Sequence, residues 1–217
     1  MRKLQIDMVS DIVCPWCWLG LKRLDRALEA FDDVTAALQF HPHELDPSVP
    51  EDGVEYRAYM RAKFGPSGPS NRFQQMREHL EAAGPDYGID FRFDTITRRP
   101  NTLNCHRLIK WAQGQGKSRA VKEALFAAYF RDAQDLSDPA VLTAVASAVG
   151  LDVDLIQTLL EGDRDKDAVR GEEAHFQRLG VTGVPFFIFN GRVGVPGAQE
   201  PEILRDAMRK ALSSEAA

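Results

Sequence analysis

Apolar and polar residues alternate from the start of the chain. In "KLQIDMV", Leu4, Ile6 and Met8 share one face and Gln5 and Asp7 the other, the period of a strand. The period then lengthens: Leu21, Leu24, Leu28 and Phe31 recur at helical spacing, with Lys22, Arg23, Arg26 and Glu29 between them. Val34, Ala36, Leu38 and Phe40 return to period two. Strand, helix and strand in such close succession predict a βαβ unit with parallel strands.

From roughly residue 50 to 162 the pattern predicts helices throughout. "NRFQQMREHLEAAG" sets Phe73, Met76, Leu80 and Ala83 on one stripe, and "KSRAVKEALFAAYFRD" is an alanine-rich helix former. "SDPAVLTAVASAVG" and "LDVDLIQTLLEG" begin at Asp138 and Asp152 as N-caps, with Pro139 in the first turn of one and Gly162 closing the other. "FGPSGPS" (64–70) and "GPDYGID" (84–90) read as turn-rich loops. After a further helix ending near Gly180, Phe186 to Phe189 reads as a buried strand. Asn190-Gly191 reads as a two-residue hairpin turn, and Arg192 to Val195 as the returning strand. Ile203, Leu204, Ala207, Met208, Ala211 and Leu212 trace a closing amphipathic helix. The expected fold class is α/β: a mixed sheet with helices packed on it and an all-helical insertion between its halves.

Composition narrows the function. The 217 residues are 44% apolar and 27% charged, with a formal charge of −5, which argues against binding nucleic acid or an anionic membrane through the overall field. No apolar run approaches the roughly 20 residues that cross a bilayer. The basic start could suggest a signal peptide, but Gln5, Asp7, Ser10 and Asp11 interrupt any apolar stretch, so the expected location is the cytoplasm. Three cysteines are too few for a disulfide scaffold of this size.

Two of those cysteines lie in "VSDIVCPWCWLGLKRL". A pair at this spacing can hold a metal, lock a disulfide or trade electrons. Pro15 suits the first helical position, which makes Cys14 the N-cap and Cys17 the third helical residue. The N–H groups of the first turn and the helix dipole should then favour a Cys14 thiolate. Cysteines in such settings have pKa values of about 3.5–7.5 instead of about 8.5. Cys14 is therefore the predicted nucleophile, and Cys17, one turn inward and less exposed, the resolving thiol. No metal is expected, because Cys105-His106 and His41-x-His43 are distant and no second close pair completes a tetrahedral set. In "TGVP", Pro185 stands at the entrance of a buried strand, where a missing N–H costs least and a cis bond after Val184 is an option.

Together, "DIVCPWCWLG", "RPNTLNCHRLIKWA" and "GVTGVPFFIFNGRVGVPGAQ" resemble the DsbA-like branch of the thioredoxin superfamily. They look most like its FrnE-like members, relatives of 2-hydroxychromene-2-carboxylate isomerases and kappa-class glutathione transferases. The resemblance implies a thioredoxin-like domain formed by residues 1–48 and 163–217, with residues 49–162 as an inserted helical domain. It implies that Cys14 attacks, that Cys17 resolves, and that a cis Pro185 faces the pair. Pro15, Trp16, Val184 and Pro185 would contact substrate, with the Val184 backbone offered to an extended segment. Trp16 stands where secreted DsbA proteins carry His, which predicts a weaker oxidant.

The expected activity is thiol–disulfide exchange on a thiol- or disulfide-containing protein or small molecule, without a resident cofactor and with glutathione as a candidate co-substrate. The relatives suggest an alternative, a glutathione-dependent isomerase or transferase acting on an aromatic or polyketide-like molecule. A third reading is a binding module that uses the groove around Val184 and Pro185. Trp18 and Cys105 read as core residues, although Cys105 is also a candidate third sulfur, and His106 a candidate for tuning the nucleophile.

Overall fold

The computed structural model describes residues 1–65 and 71–213, without the side chains of Asn71 and Arg72. Strand β1 (Arg2–Ser10) leads into helix α1 (Pro15–Leu28) and strand β2 (Val34–Pro42). A two-residue strand β3 (Val54–Glu55) precedes α2 (Tyr56–Phe64) and α3 (Asn71–Ala83), and β4 (Arg98–Arg99) pairs back on β3. Helices α4 (Leu103–Gln113), α5 (Ser118–Phe130), α6 (Pro139–Ala148), α7 (Val153–Glu161) and α8 (Lys166–Arg178) follow. Strands β5 (Phe186–Phe189) and β6 (Val193–Pro196) and helix α9 (Pro201–Ser213) complete the chain.

The main sheet has the order β2-β1-β5-β6. Strands β1 and β2 are parallel, as the βαβ reading requires, while β5 is antiparallel to both β1 and β6. The alternation along the strands decides what covers each face. Leu4, Ile6 and Met8 of β1 and Phe187 and Phe189 of β5 pack with Leu21 and Leu24 of α1 and Leu204 and Met208 of α9. Val9 and the half-buried Phe186 and Ile188 point the other way, onto Phe176 of α8. Each fully buried Leu or Ile contributes about 1.5–3 kcal/mol, so a one-residue slip of β1 would turn its apolar face outward at prohibitive cost.

Several local expectations are met by the atoms that motivated them. Asp138 accepts from Ala140 N at 2.8 Å and Asp152 from Leu155 N at 3.0 Å, each capping its helix. Asn190 and Gly191 both take positive φ, 49° and 64°, as the hairpin turn requires. The returning strand runs Val193–Pro196, one residue later than expected, because Arg192 remains in the turn. The middle of the chain is not helical throughout. Tyr56 N donates to Thr97 O at 2.9 Å beside the β3–β4 ribbon, and 3₁₀ turns occupy Gly84–Tyr87 and Phe93–Thr95. The "GPDYGID" loop therefore begins as a compact turn, whereas most of "FGPSGPS" lies outside the described residues.

Candidate functional site

The α1 N-terminus meets the loop before β5. Cys14 is extended, with φ −96° and ψ 107°, and Pro15 occupies the first turn. The Val184–Pro185 peptide is cis, and the Cys14 thiol donates to the Val184 carbonyl at 3.7 Å. Pro185 is locked in turn, its own carbonyl accepting from Gly197 N at 2.7 Å. Gly20 lets helix and loop approach: a Cβ there would lie 3.1 Å from Pro185 Cγ and 3.3 Å from Ala198 Cβ. Arg23 fastens the same contact by donating to Ala198 O at 2.6 Å.

One expectation about the dithiol needs correction. The Cys14 sulfur takes no capping bond from the first-turn N–H groups; instead its proton goes to Val184. Sulfur is larger than the oxygens of the usual cap residues, and a protonated thiol has a donor to place. Cys17 is the less exposed of the two, as expected, although the margin is small: 5% of the Cys14 surface is accessible against none for Cys17. The two thiols differ more in surroundings. Burial, together with the adjacent Cys14 sulfur, holds the Cys17 thiol well above its usual range, against the opposing pull of the Asp11 backbone and Lys122. Cys17 thus retains a proton that it can share with Cys14.

Beneath the pair lies a set of buried charges that sequence reasoning missed. Asp11 is fully buried and accepts from Ile12 N at 2.7 Å and Leu45 N at 2.8 Å, while His106 Nε2 lies 3.4 Å from its Oδ1 in poor hydrogen-bond alignment. Burial pushes its carboxyl up, but His106 and the charge of Arg99 outweigh that and bring it to about 2. Lys122 of α5 is also fully buried, and its Nζ has no hydrogen-bond partner among the described residues. Its ammonium lies over the Phe40 and Phe126 rings, at 5.1 and 5.5 Å from their centroids. Burial lowers it to about 8, with Cys17, Asp11, Cys105 and Cys14 opposing in that order. Lys122 carried one signal in the sequence: it stands four residues after buried Ser118 and three before buried Leu125, on the inward stripe of its helix.

The segment 99–112 contributes scaffold as well as charge. Arg107, fully buried, donates to the carbonyls of Leu159, Gly162 and Arg164 at 2.6, 2.7 and 2.8 Å, closing the end of α7. Asn101 Nδ2 reaches Val49 O at 2.7 Å. His106 faces Asp11, not Cys14. Cys105 is fully buried, and burial pushes its thiol up strongly, as suits a core residue. Trp18 is core as well, stacked on Phe126 and Phe130 and edge-on to Phe91.

A cavity of about 350 Å³ opens beside Cys14, Pro15, Trp16 and Val184. Trp16 is half-buried at its edge and stacks on His79, with 5.5 Å between ring centroids. The remaining wall comes from the middle of the chain, including Tyr56, Met60, Phe93, Tyr129, Phe130 and Arg99. All six expected site residues thus gather at one place: Cys14, Pro15, Trp16 and Val184 line the cavity, Cys17 lies behind Cys14, and Pro185 holds Val184. Among the described residues no cluster of three or more His, Cys, Asp or Glu could hold a metal, and no helix is long and apolar enough to cross a membrane.

Comparison with known proteins places this site in a wider group. The DSBA-like thioredoxin domain family matches residues 5–209. A probable DsbA oxidoreductase from Streptomyces coelicolor superposes with a TM-score of 0.87 at 30% identity, covering 97% of this chain and 90% of its own. Two more distant structures share the fold at 16% identity, each covering 98% of both chains. They are a 2-hydroxychromene-2-carboxylate isomerase (TM-score 0.70) and the cytosolic disulfide reductase DsbM from Pseudomonas aeruginosa, described with GSH (TM-score 0.62).

Proposed function

Because the chain belongs to the DSBA-like thioredoxin domain family, and because its two close cysteines are free thiols at a helix start, we propose that it is a thiol–disulfide oxidoreductase. The observation that carries this reading is the Cys14 thiol at 3.7 Å from the carbonyl preceding a cis proline, with protonated Cys17 behind it.

The Cys14 thiolate attacks one sulfur of a substrate disulfide, forming a mixed disulfide and releasing the other sulfur as thiolate. Cys17 then gives up its proton and attacks the Cys14 sulfur. That step forms the Cys14–Cys17 disulfide and releases the second substrate thiolate, so the substrate gains the two electrons that the dithiol loses. Lys122 favours the Cys17 thiolate at this step, because its charge opposes the burial that keeps Cys17 protonated. A thiol reductant of the glutathione type restores the dithiol. Retention of both cysteines with Trp16 between them supports a reductase or isomerase working in a reducing cytoplasm.

The cavity beside Cys14 supports the alternative, glutathione-dependent isomerisation or transfer on an aromatic small molecule. Replacing Cys17 by Ala separates the two. Disulfide turnover with glutathione as reductant should fall to near background under the exchange reading, whereas glutathione-assisted isomerisation should survive. Equilibration with glutathione, read by mass spectrometry, sets the direction. A potential near about −270 mV marks a reductant and one near about −120 mV an oxidant.

A further inference from the structure

Arg99 brings a guanidinium to the wall of the cavity. It is only 6% exposed, it lines the cavity that holds Cys14, and among the described residues no carboxylate comes within ion-pair distance of its guanidinium. The guanidinium donates no hydrogen bond to a carbonyl or carboxylate of the described residues, and its Nε is buried without a partner. The neighbours it does have are aromatic. Its Cζ is 5.3 Å from the Tyr59 ring centroid, and the Tyr59 and Tyr129 hydroxyls adjoin it. Asp11 acts on it only at longer range. The other cation of the wall, Lys63, is already satisfied by Asp46 at 3.2 Å and the Tyr59 hydroxyl at 2.8 Å.

Burial disfavours the Arg99 charge, but Asp11 and the Tyr129 and Tyr59 hydroxyls outweigh it, so the guanidinium stays ionised while its planar fork, suited to a carboxylate, pairs with none among the described residues. The rest of the wall offers rings and a thioether: Tyr56, Met60, Phe93 and Phe130. The volume, about 350 Å³, falls in the range of sites that enclose a small organic ligand. We propose that this cavity binds a small aromatic thiol or disulfide bearing a carboxylate, with Arg99 holding the carboxylate and the walls the ring while the ligand's sulfur meets Cys14. The proposal rests on the exchange reading and specifies its substrate class.

The test uses the reduced full chain and two aryl disulfides, 5,5′-dithiobis(2-nitrobenzoate) and its dimethyl ester. Each equivalent reduced converts the dithiol to its disulfide and releases two aryl thiolates, followed by absorbance under single-turnover conditions. In Arg99→Gln the half-saturating concentration should rise for the dicarboxylate relative to the ester by about ten- to a hundred-fold, the usual value of a charge-assisted bond, with the maximal rate changing far less. Arg99→Lys should recover part of that ratio. Met60→Trp, which narrows the cavity without touching Arg99, should lower the rate with both aryl disulfides at least ten-fold relative to hydroxyethyl disulfide.

An unchanged dicarboxylate-to-ester ratio in folded Arg99→Gln would overturn the proposal, as would an unchanged aryl-to-aliphatic ratio in Met60→Trp. If the parent protein reduced no disulfide at all, the exchange reading would fail by itself. The cavity would then be tested by calorimetry with bis(3-carboxy-4-nitrophenyl) sulfide, a non-reactive thioether, on Cys14→Ala. Binding weakened at least ten-fold by Arg99→Gln upholds the site, and equal or absent binding refutes it.

Discussion

Replacing Lys122 by Met should make the protein more stable and its chemistry slower. The ammonium is fully buried, with no hydrogen-bond acceptor among the described residues, and burial brings it from 10.5 to about 8. At about 1.36 kcal/mol per pH unit, holding that charge in the fold costs about 3 kcal/mol at neutral pH. Ring contacts with Phe40 and Phe126 return about 1–2 kcal/mol of this, and a Met thioether keeps part of the same packing. The expected net gain for Lys122→Met is about 1–3 kcal/mol at pH 7. The sign follows from linkage. The unfolded lysine binds its proton more tightly than the folded one, so the cost is fully present below about pH 8, declines as pH rises and is gone above about 10.5. Urea unfolding of the reduced proteins, followed by tryptophan fluorescence, should therefore show a gap that shrinks by about half between pH 7 and about pH 9.5. The same variant removes the charge that favours the Cys17 thiolate, so resolution of a mixed disulfide at Cys14 should slow. A variant less stable than the parent at pH 7, or a gap that ignores pH, would refute the reasoning.

Asp11 should behave in the opposite sense. With its folded value about 2 against 3.8 unfolded, it contributes about 2 kcal/mol above pH 4 that is lost as pH falls through 2. Asp11→Asn should therefore lower stability by at least that much at pH 7 in denaturant titrations, with the difference closing in acid. Gly20→Ala gains about 1 kcal/mol of helix propensity but drives a methyl against the Pro185 ring and Ala198, a clash of about 1–3 kcal/mol. A net fall in Tm and slower exchange are expected, and a stabilised, fully active variant would show that the loop yields.

The elements that could be read from the sequence carried their own local cause. Pro15 starts α1, Asp138 and Asp152 cap α6 and α7, and Asn190-Gly191 turns the hairpin, each within a few residues of the feature it produces. The β3–β4 ribbon was not legible, because two residues per strand are too few to show a period. Lys122 and Arg99 were missed for a different reason. A long cation on an amphipathic helix or in a two-residue strand ordinarily keeps its head in water, and only the packing of distant segments decides otherwise. The Cys14 cap was misread because rules derived from Ser, Thr, Asp and Asn oxygens were carried over to a thiol that had a carbonyl to donate to.

The site divides its work between parts of the chain that are far apart in sequence. The dithiol comes from the β1–α1 junction and the proline loop from the entrance of β5. The charge that acts on Cys17 is Lys122 of α5, itself held charged in part by the Asp11 carboxylate, which backbone bonds from Ile12 and Leu45 set in place. The cavity wall comes mostly from residues 45 to 130, and among its cations it is Arg99 that acts on the charge set, through Asp11. Substitutions at Tyr56, Met60, Phe93 or Phe130 can therefore change which molecule reaches Cys14 while the electrostatics of the couple stay in place. Substitutions at Lys122 change the couple while the cavity stays in place, because Lys122 does not line it. Arg99 both lines the cavity and acts on Asp11, so its variants should move both substrate preference and the acid stability that depends on Asp11, whereas Met60 variants should move only the first.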